Sequence, residues 1–245
     1  MVLALENVTK LYKNGRGVQD ISFTLAPGEV LGLLGPNGSG KTTTMKAIAG
    51  LLRINRGAIR ICGVDALAQH EEAMQSTGCL IESPPLYEHM SAEENLRLAA
   101  RFYRNVGAER ITEVLQMLGM EPYRKERVRT FSLGMRQRVG LAAALISQPR
   151  LLILDEPANG LDIEGMVYVR EVVKAAAEKG AAVLISSHLA HEIEQCATKA
   201  AIMHSGKLLA VSDMADVLAA HASLEDYFLA QVGLPRLNED TRFRR

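Results

Sequence analysis

Gly35-Pro-Asn-Gly-Ser-Gly-Lys-Thr completes the pattern G-x-x-x-x-G-K-[ST], a set of residue types suited to holding a polyphosphate. The glycines let successive backbone N–H groups curl around an anion, and a helix behind them turns its positive dipole end toward it. Lys41 brings a charge for β- and γ-phosphates, and Thr42 brings a hydroxyl for Mg²⁺. Downstream, Leu151-Leu-Ile-Leu-Asp-Glu ends an apolar run in two acids. An aspartate there, Asp155, can hold Mg²⁺ directly or through water, and Glu156 is placed to polarise an attacking water. An apolar strand ending in Asp-Glu is common by itself; it gains this meaning from following a phosphate loop.

Such residues need strands to hold them. Val30-Leu-Gly-Leu-Leu is an apolar run of buried-strand length directly before the glycine loop, and Thr43 to Leu52 follows at helical spacing. In Val18–Leu25, Ile21, Phe23 and Leu25 alternate with polar residues, as on a half-buried strand, and Pro27-Gly28 makes a turn. The texture changes between Glu82 and Ser132. Ser91-Ala-Glu-Glu matches a capping box before an amphipathic helix carrying Leu96, Leu98, Ala99, Phe102 and Tyr103, and a second helix covers Glu109 to Met117. Helices are then expected over Met135–Ser147 and Ile163–Lys179, with strands at Leu151–Leu154 and Ala181–Ile185. Strand–helix alternation of this kind predicts a mostly parallel sheet covered by helices, with a helical block inserted into an α/β core.

Phe131-Ser-Leu-Gly-Met-Arg-Gln-Arg precedes a helix and lies upstream of Asp155; taken alone, Ser-Leu-Gly reads first as a helix cap. In this context the chain resembles the ABC ATPase family, whose signature at that place is Leu-Ser-Gly-Gly-Gln. Ser132 and Gly134 match it, while Phe131, Leu133 and Met135 depart. The resemblance implies that Ser132 and Gly134 close over a γ-phosphate held by another protomer, with two ATP molecules between two cassettes. Asn159-Gly-Leu-Asp matches the D-loop, which implies that Asp162 communicates across the dimer. Ser186-Ser-His, after the strand ending at Ile185, matches the H-loop and implies a γ-phosphate contact for His188. Tyr12 matches the aromatic that stacks on adenine, with an ordinary packed tyrosine as the competing reading. His188 and His191 also form an H-x-x-H pair, without further ligands in sight.

The resemblance runs from about Leu3 to Lys207 and implies a single ABC ATPase domain over residues 1–245. Its parts are an α/β P-loop NTPase (RecA-like) core from 1–82 plus 133–215, including an N-terminal antiparallel β subdomain, a helical subdomain at 83–132, and a C-terminal helix and tail at 216–245. ATP and Mg²⁺ are the implied cofactors. Nucleotide contacts fall on Tyr12, Gly35, Pro36, Asn37, Gly38, Ser39, Gly40, Lys41, Thr42, Thr43, Ser132 and Gly134. Catalysis falls on Glu156, His188, Lys41 and Glu82, and metal binding on Thr42, Asp155 and Glu82. Glu82 stands where the family's Q-loop carries glutamine; it adds negative charge beside the phosphates and predicts slower or more Mg²⁺-dependent hydrolysis. Pro84, Pro85, Leu86 and Tyr87 give that loop a stiff apolar surface, suited to a partner's coupling helix or simply to a rigid turn. Glu82 together with Ser-Leu-Gly-Met-Arg-Gln-Arg is similar to the branch of bacterial exporters (bacitracin-type, lantibiotic and related ABC-2-type). A second cassette, as a homodimer, and a multi-span membrane permease are the implied partners, at the cytoplasmic, inner face of the cell membrane.

Composition is compatible with this and removes several alternatives. The 245 residues are 48% hydrophobic and 23% charged, as in a packed globular chain. Lys plus Arg and Asp plus Glu each number 28, and Trp is absent, so neither clustered positive charge nor a base-stacking platform points to nucleic acid. Three dispersed cysteines, Cys62, Cys79 and Cys196, suit a reducing compartment better than a disulfide framework. The N-terminal residues make a poor signal peptide, and no apolar run approaches the ~18 residues that span a bilayer. A soluble ABC ATPase of DNA repair or the ribosome is the alternative, but a single P-loop without sustained heptads argues against it. An inactive regulatory cassette fits poorly with Lys41, Asp155, Glu156 and His188 all present. The tail from Pro235, with Arg236, Arg242, Arg244 and Arg245, reads first as a frayed, solvated end, with contact to anionic lipid as the alternative.

Overall fold

The computed structural model describes residues 1–104 and 106–234, so the basic tail from Pro235 lies outside the described residues. The chain runs β1 (Leu3–Leu11), β2 (Gly17–Leu25), β3 (Val30–Leu34), α1 (Lys41–Ile48), β4 (Arg56–Ile61), β5 (Val64–Asp65), α2 (His70–Gln75) and β6 (Thr77–Leu80). It continues with α3 (Ala92–Ala100), α4 (Ala108–Met117), α5 (Leu133–Leu145), β7 (Leu151–Leu154), α6 (Ile163–Glu178) and β8 (Ala182–Ser187). Last come α7 (Ala190–Glu194), β9 (Lys199–His204), β10 (Lys207–Asp213), α8 (Met214–Ala220) and α9 (Leu224–Val232). Short 3-10 turns at Glu121–Tyr123 and Val128–Thr130 link α4 to α5.

Two sheets divide the strands, as the sequence predicts. The order β2-β1-β4-β5 forms an antiparallel sheet of four, and β10-β9-β3-β8-β7-β6 a sheet of six. In the larger sheet β9, β3, β8, β7 and β6 are parallel, and β10 turns back antiparallel at the edge. The central strands β3, β7 and β8 are buried along their whole length, which is why they read as unbroken apolar runs. Their side chains alternate between two cores. Leu31, Leu33, Leu151, Ile153 and Leu184 join the small sheet and Met45 and Ile48 of α1. Val30, Leu34, Leu152, Leu154 and Ile185 join α3, α4, α5 and α6. On β2 the expected alternation holds: Ile21, Phe23 and Leu25 are buried and Ser22 and Thr24 exposed.

Some boundaries differ from expectation. The Ser91 capping box is complete, with Glu94 N–H donating to Ser91 Oγ at 3.2 Å and Ser91 N–H to Glu94 Oε2 at 2.7 Å. Its helix, however, stops at Ala100 and does not continue through Tyr103. The N–H groups of Arg101, Phe102 and Tyr103 bond three residues back, to Leu98, Ala99 and Ala100. That tighter winding turns Phe102 out, leaving it 74% exposed, while Tyr103 still packs on the core. Ser186 and Ser187 belong to β8 and do not follow it, because parallel pairing with Leu33 and Leu34 of β3 carries the strand two residues beyond Ile185. The glycine-loop helix ends at Ile48, before the expected Leu52, where Gly50 takes a left-handed turn at φ 68°.

Candidate functional site

The glycine loop joins the end of β3 to α1, and two of its glycines are required by space. A Cβ on Gly35 would stand 2.2 Å from the Met203 carbonyl oxygen, and one on Gly40, at φ 109°, 2.4 Å from Val18 Cγ1. The β9–β10 turn braces the loop through the Gly206 N–H, which donates to the Ser39 carbonyl at 3.0 Å. Lys41, 5% exposed, folds back so that Nζ donates to the Gly35 carbonyl at 2.7 Å. Ser39 Oγ is buried in the loop without a hydrogen-bond partner, an arrangement that calls for an incoming acceptor.

The second half of the site comes from the ends of β7 and β8. The backbone N–H of Asp155 donates to the Leu80 carbonyl at 2.8 Å. Its buried carboxylate accepts the Ser186 hydroxyl at 2.6 Å, and Ser186 Oγ in turn accepts the Glu156 N–H at 2.9 Å. Ser186 therefore spaces the two acids, a role sequence reasoning missed; its register beside the end of β7 is the signal that would have found it. Glu156 has a left-handed backbone, φ 47°. Its Oε2 lies 2.8 Å from His188 Nδ1 and its Oε1 3.2 Å from Lys41 Nζ. The carboxylate proposed to activate water is thus held between the phosphate-loop cation and an imidazole.

A cleft of about 310 Å³ gathers Tyr12, Asn37, Gly38, Ser39, Gly40, Lys41, Thr42, Thr43 and Glu156. Tyr12 is 44% exposed at its mouth, with Lys10 Nζ 5.4 Å from the ring centroid, so it is not an ordinary packed tyrosine. Asn14 and Arg16 line the same cleft. They were missed because they carry no motif; the β1–β2 hairpin delivers them, with Tyr12 N–H donating to the Arg16 carbonyl at 2.8 Å. A neighbouring cleft of about 440 Å³ is lined by Glu82, Pro84, Leu133, Gln137, Asp155 and Glu156, among others, so Glu156 faces both clefts.

Ser132 and Gly134 are not among the lining residues of the phosphate-loop cleft. Ser132 caps α5, accepting the Met135 N–H at 3.2 Å. Asp162 likewise caps α6, accepting the Gly165 N–H at 2.8 Å. Glu82, at φ 61°, places Oε1 2.6 Å from Lys46 Nζ on α1.

The donor set fits a magnesium–triphosphate. Thr42 offers a hydroxyl and Asp155 a buried carboxylate, and among the described residues no cluster of three or more His, Cys, Asp or Glu could hold a metal. A hard cation here would complete its shell with phosphate oxygens and water.

Comparison with known proteins places the chain. The family model described as "ABC transporter" matches residues 18–159. The uncharacterized ABC transporter ATP-binding protein YhcH of Bacillus subtilis (strain 168) is 42% identical over 88% of this chain and 71% of its own length. The bacitracin transport ATP-binding protein BcrA of Bacillus licheniformis is 38% identical over 85% of this chain and 68% of its own. A solved ATP binding subunit of an ABC transporter superposes with a TM-score of 0.87 at 31% identity, covering 95% of this chain and 100% of that one.

Proposed function

Because the chain belongs to the ABC transporter family of ATP-binding proteins, we propose that it is the ATP-hydrolysing subunit of an exporter whose membrane-spanning part is a separate chain. The observation that carries the hydrolytic half is Glu156, held between Lys41 and His188 at the foot of the phosphate loop. Lys41 and the backbone N–H groups of the glycine loop, Pro36 excepted, hold the phosphates, and Thr43 and Tyr12 border the same cleft. When the γ-phosphate takes Lys41, the Glu156 carboxylate is released from that charge and can take a proton from the attacking water. His188 keeps the carboxylate aimed through Nδ1, and in its imidazolium form Nε2 can also donate to a γ-phosphate oxygen. Thr42 and Asp155, with Glu82, would hold Mg²⁺, which when bound would neutralise charge on the phosphates.

Ser132 and Gly134 stand free of this cleft and serve the nucleotide of a second copy, so the working unit is a dimer that closes on ATP and reopens after hydrolysis. Residues 1–82 with 133–215 make the nucleotide core, 83–132 the helical subdomain, and 216–245 the C-terminal part. No helix among the described residues is long and apolar enough to cross a membrane. The loop at Pro84–Tyr87, with Tyr87 52% exposed, is the docking point for the permease, at the cytoplasmic face of the cell membrane. Similarity to BcrA, with Glu82 in place of glutamine, supports a bacitracin- or lantibiotic-type peptide, or a related drug, as cargo.

Glu156→Gln tests the hydrolytic half: turnover should fall ~10²–10⁴-fold with ATP binding retained. Unchanged turnover would remove Glu156 from the chemistry. Purification from native membranes in mild detergent tests the transport half: a multi-span partner supports it, and recovery with soluble factors alone overturns it.

A further inference from the structure

Helix α1 carries two lysines, and each holds a glutamate that follows one of two neighbouring parallel strands. Lys41 reaches Glu156 at 3.2 Å and Lys46 reaches Glu82 at 2.6 Å. Leu80 of β6 and Leu154 of β7 are register partners, so Glu82 and Glu156 each stand two residues beyond the same rung. Both have left-handed backbones, φ 61° and 47°, a conformation that side-chain-bearing residues seldom adopt without support. Glu82, Asp155 and Glu156 line the cleft that adjoins the phosphate-loop cleft, and Glu156 lines both, so three carboxylates stand beside the place of the polyphosphate. Like charges so grouped disfavour one another and the anion. Lys46 lies four residues after Thr42 on the same helix, hence on the same face.

We propose that Lys46 is a positioning residue: its ammonium holds the Glu82 carboxylate on α1 and cancels its charge, so that the pair meets the nucleotide as a neutral glutamine would. This rests on the nucleotide reading of the cleft. The acid at this position is thereby made tolerable by a base that no motif marks. With Lys46 28% and Glu82 63% exposed, the pair is partly screened, so its effect is a few-fold one that salt diminishes.

The test is binding of a fluorescent methylanthraniloyl ATP analogue to the full chain at low salt, without and with Mg²⁺. Lys46→Met frees the Glu82 carboxylate toward the cleft and is expected to weaken Mg²⁺-free binding about threefold. The same change in the Glu82→Gln background removes the ammonium but frees no carboxylate, so it is expected to weaken binding less, and Lys46→Arg, which keeps the charge, is expected to bind as the native chain does. Thermal melts of the nucleotide-free variants check folding. Should Lys46→Met not fold, Lys46→Gln, likewise uncharged, takes its place in both backgrounds. Equal weakening by Lys46→Met in both backgrounds would mean that Lys46 acts on the phosphates directly, and would overturn the pairing alone. A native chain that does not bind the analogue would overturn the nucleotide reading and the pairing with it.

Discussion

Gly140 lies within α5, where alanine would ordinarily stabilise a helix by about 1 kcal/mol. Its surroundings reverse that expectation. A Cβ at this position would stand 2.7 Å from both Cβ and Cγ of Pro84 and 3.0 Å from Leu80 Cδ1. Ordinary carbon contacts are about 3.5–4.0 Å, so something must move by close to 1 Å. Neither neighbour yields easily: Pro84 is a ring held in the loop beside Glu82, and Leu80 is 2% exposed in β6. Overpacking of this kind costs about 1–3 kcal/mol. Set against the propensity gain, Gly140→Ala should destabilise by about 1 kcal/mol, and by up to ~2 kcal/mol if the loop cannot shift. For a chain of this length that lowers Tm by about 2–4 °C per kcal/mol. Differential scanning calorimetry of the nucleotide-free protein measures it. An unchanged or raised Tm would show that the loop gives way freely, and would refute the idea that Gly140 seats the Glu82 loop on α5.

Two further predictions concern titration. Glu93 accepts Arg124 Nε at 3.1 Å and Arg97 Nη2 at 2.6 Å, and the Arg124 hydrogen bond above all holds its carboxyl below the usual glutamate range. A depressed folded-state value adds stability above the ordinary pKa of about 4.3 and loses it as pH falls through the folded-state value. The Tm advantage of the native chain over Glu93→Gln should therefore be full at pH 6 and shrink progressively as pH falls below the ordinary glutamate range; a constant difference would refute it. Burial pushes the Cys79 thiol up to about 12 and the Cys196 thiol to about 11. Iodoacetamide at pH 8 should thus label Cys62 first in the folded protein, as read by peptide mass spectrometry; equal labelling of all three would count against it.

How far the sequence carries depends on whether a feature is local. The glycine loop was legible because its steric demands, its cation and its hydroxyl lie within eight consecutive residues, flanked by β3 and α1. The parallel core was legible because its buried strands leave unbroken apolar runs, as β3 shows, and β2 showed its half-buried alternation, while the separate antiparallel sheet came from the family resemblance. Periodicity failed at Phe102, where the apolar pattern continued but the hydrogen bonding tightened to three-residue spacing, which pattern alone does not record.

The chemistry between elements was the least legible part, and the reason is electrostatic as well as geometric. From the sequence, Glu82 is an acid added to a site already holding Asp155 and Glu156, and only its charge could be weighed. In the fold, an ammonium 36 positions away lies 2.6 Å from it. A one-residue shift in the register of β6 against β7 would turn over the side chains of β6 and move the loop that carries Glu82 out of step with Lys46. The effective charge of this site is therefore set by strand pairing, and a departure from a family motif has to be judged together with whatever the fold brings against it.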